Sequence, residues 1–179
     1  MFAASKAMAD AVEFLAQRRV ALGGVTAIAA LVLASPTWNS WTRGLVVAAI
    51  GEAIRVWAAG HLEKSREVTT SGPYRWMRHP LYVGSTILAL GVVIAVRSYV
   101  VGVLAAIYLG ATMTAAIRTE EAFLRRTFGD AYDRYARAKD YDAGRRFSLE
   151  RAVRNKEYRA VLGTAAGFAL LALRLLLHL

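Results

Sequence analysis

Cysteine is absent from all 179 residues. That excludes a disulfide scaffold and any cysteine-ligated zinc or iron–sulfur site, and no metal is expected. There is no fixed-period repeat and no low-complexity linker. No Gly-x-Gly-x-x-Gly follows a strand pattern, so a soluble Rossmann-type cofactor domain is not expected. Acidic residues are scarce, 13 Asp and Glu against 23 Lys and Arg, for a formal charge of +10. What is abundant is apolar. Hydrophobic residues make up 56% of the chain, against about 45–50% in an ordinary soluble domain. This excludes a disordered chain and argues against a purely soluble enzyme. The length suits one domain, residues 1–179.

The apolar excess falls in five runs, 20–34, 45–60, 81–96, 99–117 and 161–177. A span needs roughly 17–25 residues, so the first and third must borrow flanking positions. Trp38, Trp41, Tyr82 and Tyr99 lie near run ends, where amphipathic rings favour an interface. A soluble bundle is the alternative, but so small a chain could not bury five helices that are apolar nearly all round. The expected fold is all-α: an integral membrane protein with about five transmembrane helices and cytoplasmic interfacial helices.

The charges give an orientation. Lys6, Arg18 and Arg19 precede the first run; Lys64, Arg66, Arg75 and Arg78 lie in the link 61–80; twelve more lie in the link 118–160. The two remaining links hold only Arg43 and Arg97. By the positive-inside rule the amino terminus and both basic links are cytoplasmic and the carboxyl terminus is outside. Topology and anionic lipid account for the basic surplus, so no nucleic acid is expected as a partner. Arginine far exceeds lysine and alanine is frequent, a composition of GC-rich bacterial genomes, which points to a bacterial inner membrane. The first run mimics a secretion signal before Ser35, but its long leader and the four later runs favour a retained helix. Gly23-Gly24 inside it reads as a packing contact.

Two links carry chemistry. In Val68-Thr-Thr-Ser-Gly-Pro-Tyr-Arg-Trp-Met-Arg-His-Pro-Leu-Tyr-Val-Gly84, Gly72-Pro73 marks a turn and Pro80 suits the first residue of a helix. The free amides of that helix start, with Arg78, form an anion site at the membrane surface; a basic loop snorkelling to lipid phosphates is the alternative. The second cluster, Arg118-Thr-Glu-Glu-Ala-Phe-Leu-Arg-Arg-Thr-Phe-Gly129, begins where the fourth run ends. Glu121 is placed to pair with Arg125 at i,i+4, which leaves Glu120, about 100° away, to face inward. Runs three and four are joined only by Arg97-Ser98, so they form a hairpin whose legs are roughly 24–29 Å long at about 1.5 Å per residue. The hairpin brings the proline-started helix and the acidic helix end together, about 10 Å apart by the usual helix spacing. That arrangement suits a zwitterionic ligand.

These residues, with Phe128-Gly129-x-x-Tyr132-x-x-Tyr135, resemble the isoprenylcysteine carboxyl methyltransferases and the related membrane phospholipid methyltransferases over residues 68–135. The resemblance implies an integral-membrane enzyme that uses S-adenosylmethionine as cofactor, with the bilayer and a lipid-like or small hydrophobic methyl acceptor as partners. Carried over, the cofactor-binding residues are Val68, Thr69, Tyr74, His79, Pro80, Leu81, Tyr82 and Glu120. Arg118 is the nearest match to the family's substrate-side arginine. The family's proline-containing stretch beyond Tyr135 is absent from 139–147.

A carboxylate acceptor needs no base, whereas an amine or thiol must lose a proton, for which His79 is the obvious helper. His79 and Arg118 are thus the catalytic candidates, and Arg55, Glu52 and Arg78 the substrate candidates. Glu52 and Arg55, at i,i+3 within the second run, either neutralise each other or line the cleft. Tyr74 and Tyr82 offer cation–π contact to a sulfonium, while Trp76 reads as an interface anchor. His61 is expected at the interface and His178 is incidental. Residues Tyr132, Tyr135 and Ala136 pattern an amphipathic surface helix that serves as a lid, and 145–159 another drawn to anionic lipid. Two rival functions remain open: a membrane reductase using NADPH, for which the acidic pair is unsuited, and a non-enzymatic adaptor, which leaves the paired motifs unexplained.

Overall fold

A computed structural model describes residues 23–137 and 144–178. Among them there are helices and no strand. In chain order they are α1 (Gly23–Val32), α2 (Trp38–Ala59), a 3-10 turn (Gly72–Arg75), α3 (Pro80–Val96), α4 (Tyr99–Phe128), α5 (Asp130–Ala136), α6 (Leu149–Arg154) and α7 (Tyr158–Leu176).

Local chemistry sets the boundaries. Thr37 and Ser40 exchange hydrogen bonds in a capping box that starts α2 seven residues before its apolar run. Pro80 opens α3, where its missing N–H costs nothing. Arg97, in the left-handed region at φ 55°, ends α3, and the Ser98 side chain accepts from Val101 N–H to start α4. The expected two-residue hairpin is therefore present. α4 does not stop at the end of its apolar run, however. It continues to Phe128, 30 residues in all, so the acidic pair sits inside a helix rather than at its terminus. Gly129, at φ 46° and ψ −120°, then reverses the chain into α5, a conformation open in practice only to glycine.

Two of the helices, α4 and α7, are long and apolar enough to cross a membrane. Neither is a buried core helix: only 17% and 11% of their most apolar stretches are covered. α3 is equally apolar but has 17 residues, and α2, with 22, carries Arg43, Glu52 and Arg55. The described part of α1 is 10 residues. The run that begins at residue 20, and Lys6, Arg18 and Arg19, fall partly or wholly outside the described residues.

Among the described residues, α2 and α3 are the helices whose backbones approach most closely. A Cβ at Gly44 would lie 2.5 Å from Gly91 O, one at Gly91 2.6 Å from Gly44 O, one at Gly51 2.6 Å from Gly84 O, and one at Gly84 2.7 Å from Gly51 O. Two glycines seven residues apart on each helix thus let the backbones touch. Gly23 packs under Tyr108, but a Cβ at Gly24 would meet nothing. The packing expected of Gly23-Gly24 therefore holds for its first residue only. At one end of this pair Ala30, Ala34, Ala48, Ala95, Val96, Val101, Phe168 and Leu171 form a core, tied by Ser40 Oγ donating to Ala95 O and Trp41 Nε1 to Phe168 O. At the other end Ala58, Tyr74, Tyr132 and Tyr135 form a second core.

The second core corrects one expectation. α5 does not spend its apolar face on lipid: Tyr132 and Tyr135 are buried in the protein, and Tyr135 donates to Tyr74 O at 2.9 Å. His61 is also buried rather than interfacial, with Nδ1 3.0 Å from Trp57 O. Its ring lies against Gly72 (φ 58°), where any Cβ would strike it at 2.6 Å.

Gly91→Leu should cost stability at the upper end of about 1–3 kcal/mol, because backbone blocks the new side chain. Gly24→Ala, with nothing to strike, should gain about 0.5–1 kcal/mol from lost backbone freedom in the unfolded chain. Equal unfolding midpoints for the two variants in detergent would contradict the glycine contact.

Candidate active site

A cavity of about 1000 Å³ opens between the ends of α2, α3 and α4, the link 60–79, α5 and the approach to α7. The α3–α4 hairpin positions its centre. His79, the residue before Pro80, presents its ring to α4, with Nε2 3.2 Å from Glu121 Oε1 and Nδ1 4.0 Å from Glu120 Oε2. One turn into α3, the Tyr82 hydroxyl donates to Glu120 Oε2 at 2.9 Å. Helix spacing of about 10 Å is thus bridged entirely by side chains.

The two adjacent glutamates differ as the 100° step requires. Glu121 pairs with Arg125 at 3.6 Å, as expected, and also with Arg78 at 3.4 Å. Burial alone would raise its pKa, but the hydrogen bond with His79 and the charge of Arg78 outweigh that and hold it below the ordinary value. Burial, with the nearby Glu121 charge, pushes the Tyr132 phenol up. The Tyr74 phenol is driven above its ordinary value too, first by burial and then by the charge of Glu120. Glu120 has no arginine within ion-pair distance among the described residues. Its side chain is 43% exposed and forms part of the cavity wall.

Val68, Thr69, Tyr74, Arg78, His79, Leu81, Tyr82, Arg118 and Glu120 all line this cavity. Pro80 does not: it is fully buried behind the wall, where it starts α3. Arg55 and Glu52 are not in the wall either, and they do not pair with each other. Arg55 reaches across to Ser85 on α3 and to Glu157, 2.7 Å away. Glu52 accepts from Thr164 at 3.3 Å and borders a separate groove of about 590 Å³ between α2 and α7. Trp76 is 70% exposed and packs on Trp57.

Sequence reasoning missed several wall residues. Glu63, Glu67, Asn155 and Glu157 reach the cavity through contacts spanning up to 102 residues, which no local pattern announces. The segment 145–159, expected as one helix on anionic lipid, is α6 followed by a break at Lys156 (φ 62°). Three of its five arginines face protein carboxylates instead. Arg151 and Arg154 hold Glu63 at 2.8 and 3.0 Å, and Arg145 holds Glu67. The link's proline-free residues 138–143 lie outside the described part.

Because Glu121 titrates below its ordinary value of 4.5, its pairing stabilises the fold above that pH and is lost as pH falls through the lowered value. Wild type should therefore melt above Glu121→Gln at pH 7, and the gap should narrow progressively as the pH falls below the ordinary value of 4.5. A gap that stays the same size across that fall would contradict the pairing.

A family model described as phospholipid methyltransferase matches residues 25–131, more than half of the chain. The protein-S-isoprenylcysteine O-methyltransferase of Schizosaccharomyces pombe is 32% identical over 97 residues, 54% of this chain and 41% of that protein. A probable protein-S-isoprenylcysteine O-methyltransferase of Oryza sativa subsp. indica is 37% identical over 105 residues, 52% of this chain and 55% of that protein. The nickel-cobalt-cadmium resistance protein NccN of Alcaligenes xylosoxydans xylosoxydans is 29% identical over 136 residues, 69% of this chain and 63% of that protein. The matches thus span between two fifths and two thirds of these relatives' own length. No solved structure matches. By the extent of the family match, together with the hairpin and its paired motifs, this chain belongs to the phospholipid methyltransferase family.

Proposed function

We propose that the chain is an integral-membrane methyltransferase that uses S-adenosylmethionine to methylate a lipid-like or small hydrophobic acceptor. One observation carries this reading. Glu120, His79 and Tyr82 meet across the hairpin, in the wall of a cavity that also includes Val68, Thr69, Tyr74, Leu81 and Arg118.

The residues fit the cofactor's chemistry. Glu120 is a carboxylate restrained by one phenol and open to the cavity, a seat for an ammonium or sulfonium. Tyr74 and Tyr82 add aromatic surface of the kind that stabilises such cations. Arg118 makes no hydrogen bond or ion pair among the described residues and is available for a carboxylate. About 300–1000 Å³ holds a drug-sized ligand, so the cavity accommodates the cofactor together with the polar head of an acceptor. When bound, S-adenosylmethionine supplies an electrophilic methyl group. The protein's own share is alignment and exclusion of water, which can supply about 7–11 kcal/mol of a barrier. Tyr82 and His79 fix the Glu120 carboxylate, and the Glu121–Arg78–Arg125 pairs fix His79. Where the acceptor must lose a proton, His79 is the histidine in the wall.

In this reading α1, α2, α3, α4 and α7 span a bacterial inner membrane, with the amino terminus and the cavity cytoplasmic and the carboxyl terminus outside. The uncovered apolar faces of α4 and α7 support it, as does the exposed tryptophan pair at the cavity end of α2. The acceptor then reaches the cavity sideways from the bilayer and the cofactor from the cytoplasm.

Titration of purified protein with S-adenosylmethionine should show at least tenfold weaker binding in both Glu120→Gln and His79→Ala. Unchanged affinity in both would overturn the assignment. Transfer of label from methyl-labelled S-adenosylmethionine into lipid extract, with no oxidation of NADPH, separates the enzyme from a reductase of similar shape.

A further inference from the structure

Glu157 lies 26 residues past the end of the family match and immediately before α7. It is 7% exposed, yet it is part of the cavity wall. Its Oε1 lies 2.7 Å from Arg55 Nη2 without hydrogen-bond alignment, and this buried oxygen accepts no hydrogen bond. No hydrogen bond to its other oxygen is found among the described residues. Buried carboxylates are ordinarily saturated with donors. This one keeps unused acceptor capacity at the edge of a cavity.

Its position is also rigid. Arg55 is a fixed post: its stem crosses Gly84 and its Nη1 donates to Ser85 on α3. Two residues before Glu157, Asn155 donates to Ala59 O and Leu62 O, both at 2.9 Å, and pins the chain to the end of α2. Glu157 N–H donates to Ala152 O. The carboxylate is therefore placed before any ligand arrives, the condition under which a polar group discriminates between ligands.

The charges of the cavity are sorted by depth. Lys64, Arg118 and Arg126 line it from exposed positions and make no ion pair among the described residues. Tyr74 and Glu157 are buried, and the charges of Glu120 and Glu157 both act on the Tyr74 hydroxyl. The unpaired cations lie at exposed positions, whereas the Tyr74 ring and the Glu157 carboxylate are buried, with Glu120 half-exposed in the same wall. With Glu120 assigned to the methyl donor, Glu157 is a second negative seat in the same chamber.

We propose that Glu157 sets acceptor specificity, receiving the hydrogen-bond-donating, cationic head of an amphiphilic acceptor and rejecting one that presents a free carboxylate. This rests on the methyltransferase reading of the cavity. It makes Glu157 a substrate-contacting residue and Arg55 the positioning residue behind it.

Binding of dodecylamine and dodecanoate to the full-length protein in nonionic detergent at neutral pH tests this, with S-adenosylmethionine titrated in parallel. Wild type should bind dodecylamine at least tenfold more tightly than dodecanoate. Glu157→Gln should remove that preference while leaving S-adenosylmethionine affinity within twofold, and Glu157→Asp should restore most of it. Equal dodecylamine affinity in wild type and Glu157→Gln overturns the proposal. So does a parallel loss for all three ligands, which is the signature of a purely structural strut. If Glu157→Gln alone fails to fold because Arg55 is stranded, the double variant Arg55→Gln/Glu157→Gln keeps polar shape without either charge and should show the same lost preference. A wild type that binds the amine selectively but not S-adenosylmethionine would sink the methyltransferase reading and leave the selectivity at Glu157 standing.

Discussion

The turn at Arg97 and Ser98 leaves α3 and α4 no arrangement but antiparallel, and the inequality of the two legs does the rest. α3 is 17 residues and α4 is 30, so at about 1.5 Å per residue α4 overshoots its partner by roughly 20 Å. At the level where α3 begins, α4 is still helical, and the residues it presents there are Arg118, Glu120 and Glu121. The overshoot then carries the chain to Gly129, where the reversal folds α5 back and sends Tyr132 and Tyr135 into the core beneath the cavity. A hairpin with equal legs would have had neither the acidic pair beside His79 nor a wall to close over it.

Charge is handled in the same economical way. Among the described residues, each carboxylate around the cavity except Glu120 has an arginine neighbour: Arg78 and Arg125 for Glu121, Arg66, Arg151 and Arg154 for Glu63, Arg145 for Glu67, and Arg55 for Glu157. The partly exposed pairs among them contribute about 0–1 kcal/mol each. Their value lies less in stability than in tying α6 and the start of α7 to the end of α2, which builds the far side of the chamber. Glu120, answered by a phenol and a more distant histidine, is the wall carboxylate with no arginine beside it among the described residues.

Much of this was readable in the amino-acid sequence, because it depends on short spacings. The two-residue turn implied the hairpin, the 100° step separated Glu120 from Glu121, and Gly-Pro-Tyr with His-Pro-x-Tyr marked one side of the cavity. What escaped depends on distant partners. His61 is buried because Gly72 leaves room for its ring, and Arg145, Arg151 and Arg154 are spent on Glu63 and Glu67. Neither fact has a local signature. The Arg55–Glu157 pair, 102 residues apart, displaced the expected i,i+3 pairing with Glu52. One signal was present but unused: Gly44 and Gly51 share the seven-residue spacing of Gly84 and Gly91, and these four glycines, rather than Gly23-Gly24, bring two backbones into contact.

The meeting of His79 and Glu120 is the claim on which the site depends, and the absence of native cysteine makes it directly measurable. In membranes, the double variant His79→Cys/Glu120→Cys should be joined within one chain by a short bifunctional thiol reagent, and S-adenosylmethionine should slow the reaction. Two thiols that label readily but only from opposite sides of the membrane, and never crosslink within one chain, would contradict it.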